Sequence, residues 1–108
     1  MSKESIKRQI EGYKRDIDRE KSRIADSRDD MAKIRIRKSR DADHYSRRLK
    51  SASSTANKHS IRAQKKRDWE RYGREIDREK EQIAKTRDKI KNIREKIKRS
   101  RERIKRLR

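Results

Sequence analysis

The chain contains no cysteine at any of its 108 positions. This absence excludes disulfides, thiolate metal sites and a cysteine nucleophile. It leaves the redox compartment of the protein undetermined, because a chain without thiols is compatible with any of them.

Large apolar residues and helix breakers are also scarce. There is no phenylalanine and no proline, there are two glycines, and apolar residues make up 26% of the chain against 54% for charged residues. One domain at most fits this length, and so few apolar residues cannot build a thick globular core. The composition favours long helices, a coiled coil or disorder, and the periodicity of the apolar residues decides among them.

No apolar run is long enough to act as a signal peptide or to cross a bilayer. The N-terminus reads MSKESIKRQIEGYK, which lacks the apolar stretch of a signal. We therefore expect a cytoplasmic protein, with secretion by a route without a cleaved signal left open.

Acidic residues are in the minority, and the net charge is +20. Residues 1–50 hold 17 basic and 10 acidic side chains, and residues 51–108 hold 22 and 9. Such an excess repels itself, and a polyanionic partner would relieve the repulsion. Nucleic acid is the first candidate. Membrane binding is not expected, because the apolar stripe is only two residues in seven wide.

A repeat organises the chain. IDREK occurs at residues 17–21 and 76–80, within longer similar segments at 13–34 and 72–93. Apolar residues follow a heptad in both copies, which predicts a coiled coil. The a positions are Ile10, Ile17, Ile24 and Met31 in the first copy, and Trp69, Ile76, Ile83, Ile90, Ile97 and Ile104 in the second. We predict a single domain over residues 1–108, with helices at about 3–50 and 61–107 and a polar turn at about 51–60, centred near residues 53–55.

The repeat also indicates how the two helices pair. A parallel arrangement would place Glu20 against Glu79 in the apolar seam, which would be costly. In an antiparallel hairpin, facing a positions have numbers that add to 107 and facing d positions add to 106, so Glu20 meets Thr86 and Glu79 meets Ser27. Each carboxylate then gains a hydroxyl partner. We predict an all-α, antiparallel two-helix coiled-coil hairpin, with oligomerisation left open.

Basic residues occupy eight e positions beside this seam, and antiparallel pairing brings the e positions of both helices to one edge. We call these eight residues the basic edge. They are Lys14, Lys21, Arg28, Arg35, Lys80, Arg87, Arg94 and Arg101. The opposite edge has mixed charge, with Asp16 near Lys89 or Lys96 and Arg37 near Glu75. The basic edge is therefore predicted to follow a phosphate backbone, although basic helix faces are often only solvated.

The C-terminal segment is a second predicted contact surface. Residues 89–108 include eleven basic and two acidic residues. Glu95 and Glu102 each precede an arginine by four positions, which supports the helix but explains few of the charges. The residues of this segment that we assign to nucleic-acid binding are Lys98, Arg99, Lys105 and Arg106.

Other chemistry is poorly supported. His44 and His59 have no third metal ligand at a recognisable spacing, and Asp29 and Asp30 lack the pattern of a calcium loop. No phosphate-binding glycine loop or nucleophile motif occurs, so we expect no enzymatic activity, no metal and no cofactor. The four aromatic residues could stack on bases, but their a and d positions favour a place in the core. These residues are Tyr13, Tyr45, Trp69 and Tyr72.

The leading hypothesis is a non-enzymatic helical hairpin that binds nucleic acid or a ribonucleoprotein through backbone phosphates, in an architectural, accessory or inhibitory role. The alternative is a coiled-coil module that joins a helical partner or a second copy of itself. A third possibility is that the helices order only when a partner binds, because a two-helix seam buries little surface.

The alternative has an architectural parallel. Length, two helices and a lone tryptophan resemble the WXG-type proteins of type VII secretion and the small helical partners of their toxins, which implies an adaptor of a secreted effector. In this chain Trp69 is followed by Glu70 and Arg71, without the glycine of the motif. Tyr13 and Tyr72 have isoleucine, not an acidic residue, four positions on. The resemblance is therefore confined to architecture.

Overall fold

The computed structural model describes residues 2–107, and its two helices account for almost all of them. α1 spans Lys3–Ser51 and α2 spans Thr55–Arg106. Of residues 2–107, 95% are helical and none lies in a strand. The helices form an antiparallel hairpin, which confirms the predicted all-α fold class.

Both helices begin with a serine cap. At the start of α1 the Ser5 N–H donates to Ser2 Oγ at 3.2 Å, and at the start of α2 the Asn57 N–H donates to Ser54 Oγ at 3.1 Å. Each serine oxygen satisfies a backbone donor that has no partner inside the helix. The two caps define where the helices start.

The turn is shorter than the sequence predicts. Only residues 52–54 lie between the helices, whereas the polar run at 51–60 predicts a longer turn. The Ser54 cap lets α2 begin at Thr55, and Ile61, one turn and a half later, is buried and anchors it. The prediction places the start of α2 six residues late because this first part of the helix lacks the heptad pattern.

The hairpin divides into two compact units by the proximity of Cα atoms. The terminal unit comprises Met1–Ser27 and Glu81–Arg108, and the turn unit comprises Arg28–Lys80. Each unit contains part of both helices and has its own packing.

The terminal unit has a core of isoleucines in single file. Ile6 and the a positions other than Ile104 are buried, as the heptad predicts, whereas Ile104 is half-buried. Thr86 and Ser100 are buried d positions, only 6% and 3% exposed. Lys96 of α2 lies over the ring of Tyr13 of α1, with 5.9 Å from Nζ to the ring centroid. The buried isoleucines are Ile6, Ile10, Ile17, Ile24, Ile83, Ile90 and Ile97.

Leu107 is an exception to the predicted seam. The heptad assigns it to a d position, but it is 51% exposed. α2 ends at Arg106, so Leu107 lies beyond the regular helix and loses the direction that the heptad would give it. The seam therefore ends before the C-terminus.

The turn unit replaces much of the apolar seam by paired polar and aromatic residues. The Tyr45 hydroxyl donates a hydrogen bond to Asp68, and the Tyr72 hydroxyl donates one to Asp41. Both tyrosines are buried, and both bonds join α1 to α2. Asp41 precedes Tyr45 on α1, whereas its partner Tyr72 follows Asp68 on α2. An antiparallel hairpin requires this reversed order.

Trp69 lies among these residues. Its ring packs edge-on against Tyr45 and Tyr72, with centroids 6.1 and 6.0 Å apart. Lys38 Nζ lies 5.5 Å from the Trp69 ring centroid and Lys65 Nζ lies 5.2 Å from it. The predicted register places Lys38 opposite Trp69, and this contact agrees with it.

The tyrosine hydroxyls reach along the hairpin. The predicted register places Tyr72 opposite Ile34, yet its hydroxyl bonds to Asp41, one heptad further along α1. Side chains in a helix lean toward its N-terminus. In an antiparallel pair, Tyr72 therefore leans toward the turn while Asp41 leans away from it, so the two side chains meet.

Burial in the turn unit follows eleven residues as well as seven. Ile34 and Tyr45 on α1 are buried eleven residues apart, and so are Ile61 and Tyr72 on α2. Trp69, a predicted core position, is only half-buried, as is Ile76. Eleven residues make three turns of 3.67 residues, close to the 3.6 of a straight helix. The strict heptad prediction is therefore wrong about these two positions.

Glu20 also departs from the prediction. Its Oε1 lies 3.2 Å from Nη1 of Arg23 on the same helix and forms an ion pair with it. Its Oε2 is buried without a hydrogen-bond partner. Thr86 is buried but does not bond to it. The Glu20 side chain lies along α1, where it reaches the positively charged Arg23. The Thr86 hydroxyl across the seam carries no charge.

Replacing Glu20 with an apolar residue should stabilise the fold. We expect Glu20→Leu to raise the free energy of unfolding by about 1 kcal/mol, because an unsatisfied buried polar atom costs roughly 1–3 kcal/mol and an ion pair to an exposed arginine such as Arg23 contributes less. Urea denaturation followed by circular dichroism measures the change. Glu11→Leu is the control, because Glu11 forms a similar ion pair with Lys14 but is exposed. A loss of stability in Glu20→Leu would show that the carboxylate is needed.

The two tyrosine–aspartate bonds predict a loss of stability in alkali. The bond to Asp68, together with burial, raises the pKa of Tyr45 from 10.0 to about 12, and the bond to Asp41 with burial raises the pKa of Tyr72. Between pH 10 and 12 the folded protein keeps protons that the unfolded chain releases. The hydroxyl protons therefore contribute their full stabilisation of the fold below pH 10, and this stabilisation is lost as the pH rises through about 12.

Urea titrations from pH 9 to 12 would test this, with Tyr45→Phe and Tyr72→Phe as the comparison. At neutral pH each variant should lose about 1 kcal/mol, because the aspartate loses its donor. The difference between wild type and variant should shrink as the pH rises, whereas lysine titration affects both proteins alike. A difference that stays constant to pH 12 would rule out the proposed role of the hydroxyl protons.

Candidate nucleic-acid interface

All twelve basic residues assigned to nucleic-acid binding are exposed. Nine of them belong to the terminal unit and three to the turn unit. The three in the turn unit are Arg28, Arg35 and Lys80. The nine in the terminal unit are Lys14, Lys21, Arg87, Arg94, Lys98, Arg99, Arg101, Lys105 and Arg106.

The seam of the terminal unit defines where its charges lie. Because isoleucines at a positions on both helices are buried, the e positions flank the seam on each helix. Lys14 and Lys21 take these positions on α1, and Arg87, Arg94 and Arg101 take them on α2. Successive e residues on one helix are about 10 Å apart at 1.5 Å per residue. This part of the basic edge is a row of regularly spaced positive charges on regular helix.

Almost none of these charges is neutralised within the protein. Lys14 Nζ lies 3.3 Å from Glu11 Oε1. The other eleven form no ion pair or hydrogen bond with any residue of 2–107. Their side chains are free to contact an external anion, and their mutual repulsion is not relieved by internal carboxylates.

Apart from Glu11, the acidic residues of the terminal unit form no ion pair with the assigned basic residues. On α1, Asp16 bonds to Arg19 and Glu20 to Arg23. On α2, all four acidic residues of the terminal unit occupy f positions, the line furthest from the seam. They are Glu81, Asp88, Glu95 and Glu102.

The predicted i,i+4 pairs of the C-terminal segment are not closed. Glu95 does not form an ion pair with Arg99, and Glu102 does not form one with Arg106. Exposed pairs of this kind are weak, so solvated side chains compete well with them. Arg103, Lys105 and Arg106 lie in the last turn of α2, where positive charge is favourable for the helix dipole.

The opposite edge is mixed in charge but is not held by the predicted ion pairs. In the terminal unit Asp16 and Lys96 line a groove of about 370 Å³, but Asp16 bonds to Arg19. In the turn unit Arg37 and Glu75 line a groove of about 250 Å³, where Glu75 Oε2 is buried without a hydrogen-bond partner. The lining of that second groove is balanced. It comprises Asp30, Glu75 and Glu79 with Lys33, Arg37 and Arg78, around Ile34.

The predicted core position of the aromatic rings is confirmed for two of the four residues. Tyr45 and Tyr72 are buried, and Tyr13 and Trp69 are half-buried. Each ring also has a lysine or arginine over its face. The sequence signal for one such contact is the four-residue spacing of Lys65 and Trp69, whereas Lys38 and Lys96 reach their rings from the other helix and need the register.

The remaining candidates form no site. His44 is exposed and its ring lies 6.1 Å from that of Tyr45. Within residues 2–107, no three histidine, aspartate or glutamate side chains group closely enough to hold a metal ion. Neither of the two helices combines the length and the apolar character that crossing a membrane requires.

Comparisons with known proteins add no relative. No protein-family model matches the chain, and neither a curated protein nor a solved structure matches it significantly.

Proposed function

We propose that this protein is a non-enzymatic helical hairpin that binds nucleic acid, free or in a ribonucleoprotein, through the phosphate backbone. One observation carries the proposal: eleven of the twelve assigned basic side chains are exposed and have no anionic partner within residues 2–107. Nine of the twelve lie in the terminal unit, which makes that unit the main contact surface.

The physical basis is the exchange of counterions for fixed charges. Each phosphate that a lysine or arginine neutralises releases condensed cations, which favours binding and makes it sensitive to salt. Binding also relieves the repulsion among side chains of a protein with net charge +20. The energy of binding therefore comes from charge, and base identity contributes little.

A merely solvated surface explains the arrangement less well. Surfaces without a ligand usually mix both signs, as the balanced groove around Ile34 in the turn unit does. In the terminal unit, by contrast, the e positions are all basic and the acidic residues of α2 lie on the outermost line. This separation of signs leaves a continuous positive row, as a polyanion requires. An architectural, an accessory and an inhibitory role would all use the same contacts.

A protein-interaction module is the second candidate, and one feature favours it. Ile36 is 53% exposed on α1, between Arg35 and Arg37, outside the seam. An apolar side chain flanked by arginines suits a helix with an apolar stripe and acidic borders, such as an adaptor's partner. A second copy of this chain would suit it less, because both copies are strongly basic.

Salt-dependent binding tests the leading proposal. We expect DNA or RNA to bind at about 0.05–0.1 M salt, with affinity falling steeply as salt rises. Fluorescence anisotropy with labelled nucleic acid measures the slope. A variant with Lys21→Gln, Arg87→Gln, Arg94→Gln and Arg101→Gln should bind more weakly, and its log–log slope should be smaller by about 0.9 for each lost phosphate contact on duplex DNA.

A second variant controls for the loss of net charge. Lys50→Gln, Lys58→Gln, Arg62→Gln and Lys66→Gln remove four exposed charges from the turn unit, outside the assigned residues, and should change the slope less. Equal effects of both variants would contradict a defined contact surface. If the wild type ignores both nucleic acids at low salt but light scattering shows a stable oligomer, the protein-interaction candidate replaces the leading one.

A further inference from the structure

Building on the proposed function, we infer that the ligand is a double helix, bound along its phosphates, and not a single strand bound through its bases. The inference comes from the aromatic residues, which play no part in the proposed contacts between basic residues and phosphates. A single strand and a duplex both offer phosphates, but only the single strand offers free base faces.

Proteins that hold single strands combine positive charge with exposed aromatic rings. Successive bases stack on these rings, and each stacked base contributes substantially to affinity. This chain has four aromatic residues, three tyrosines and one tryptophan. Whether any of the four offers a free face therefore decides whether the protein can bind a single strand in this way.

Two of the four rings are committed to the turn unit. Tyr45 and Tyr72 are only 4% and 3% exposed, and their hydroxyls bond to aspartates on the opposite helix. A basic group also lies over each ring, with Arg48 5.6 Å from the Tyr45 centroid and Arg71 5.2 Å from the Tyr72 centroid. Exposing either ring would break a partly buried hydrogen bond.

Trp69 is more exposed, but its ring already contacts two lysines and two tyrosines. Lys65 from its own helix and Lys38 from α1 both lie over the ring, and Tyr45 and Tyr72 pack against it edge-on. A base could stack there only by displacing a lysine. Lysine over tryptophan is itself a favourable contact, so the displacement costs free energy.

Tyr13 is the only aromatic residue of the terminal unit, where most of the assigned basic residues lie. It is half-buried at a d position, and Lys96 lies 5.9 Å from its ring centroid. The main contact surface therefore has many cations and no free stacking platform. The surface can therefore bind phosphates through its lysines and arginines, but it has no aromatic ring on which a base could stack.

The two ligands also differ in what binding costs them. A flexible single strand loses conformational freedom when it follows a row of charges on a helix, and stacking normally offsets this loss. A duplex already holds its phosphates in a regular array and has the higher charge density. With stacking absent, the preorganised ligand is favoured.

The experiment compares duplex and single-stranded DNA and RNA of the same mixed sequence, about 20 nucleotides long, with the full chain at about 0.1 M salt. Anisotropy gives the affinities, and emission from Trp69, the single tryptophan, reports stacking. We expect the duplexes to bind at least about tenfold more tightly than the single strands, because no base–aromatic stacking compensates the single strand. Saturation with a single strand at low salt should leave the Trp69 emission unquenched.

The outcomes separate this inference from the proposed function. If single strands bind as tightly as duplexes, or if they quench Trp69, the inference is wrong while nucleic-acid binding stands. If neither form binds at low salt, the proposed function fails and the inference fails with it. A duplex preference without quenching supports both.

Discussion

The burial of a single file of isoleucines between two antiparallel helices is the interaction on which the rest of the structure depends. Only about two residues in seven face the partner helix, so the other positions must be compatible with water. This explains how a chain with 54% charged residues still folds into two long helices. It also explains the location of the positive charge, because the e positions lie beside the seam and remain exposed. The antiparallel register places Lys21 of α1 and Arg87 of α2 at about the same level along it.

The turn unit solves the same packing problem with different chemistry. Apolar residues become sparse after Ile34, and two tyrosine–aspartate bonds join the helices there instead. Each bond satisfies a polar group that burial would otherwise penalise, while the tyrosine ring supplies apolar surface. Trp69 connects the two tyrosines through edge-on contacts. This arrangement keeps the aromatic rings inside the fold and leaves the outer surface to lysine and arginine, which is why the hairpin offers charge without stacking.

Much of this fold could be predicted from periodicity, since the isoleucine heptads and the repeated IDREK indicate two helices and an antiparallel register that Lys38 and Trp69 follow. Periodicity does not reveal local hydrogen bonds such as the Ser54 cap, which shortens the turn. The hydrogen bonds to Asp41 and Asp68 depend on the direction in which long side chains lean along each helix. Glu20 pairs with Arg23 and not with Thr86, because a charged partner attracts a carboxylate more strongly than a hydroxyl does. The exposure of the basic edge follows from the heptad. The scarcity of internal ion pairs along this edge does not, because rotamers decide which carboxylates approach which cations.

Disulfide trapping tests the seam most directly. The antiparallel register brings residues 17 and 90 together, whereas a parallel register would pair residue 17 with residue 76. Since the natural chain has no cysteine, Ile17→Cys with Ile90→Cys can be oxidised without competing thiols. A disulfide needs Cα atoms within about 7 Å of each other, so only residues that face each other across the seam can form one. We predict rapid intramolecular crosslinking in this variant, as a monomer and independent of concentration, and none in Ile17→Cys with Ile76→Cys. Crosslinking of the second pair, or only intermolecular dimers of the first, would contradict the hairpin and the placement of charge that follows from it.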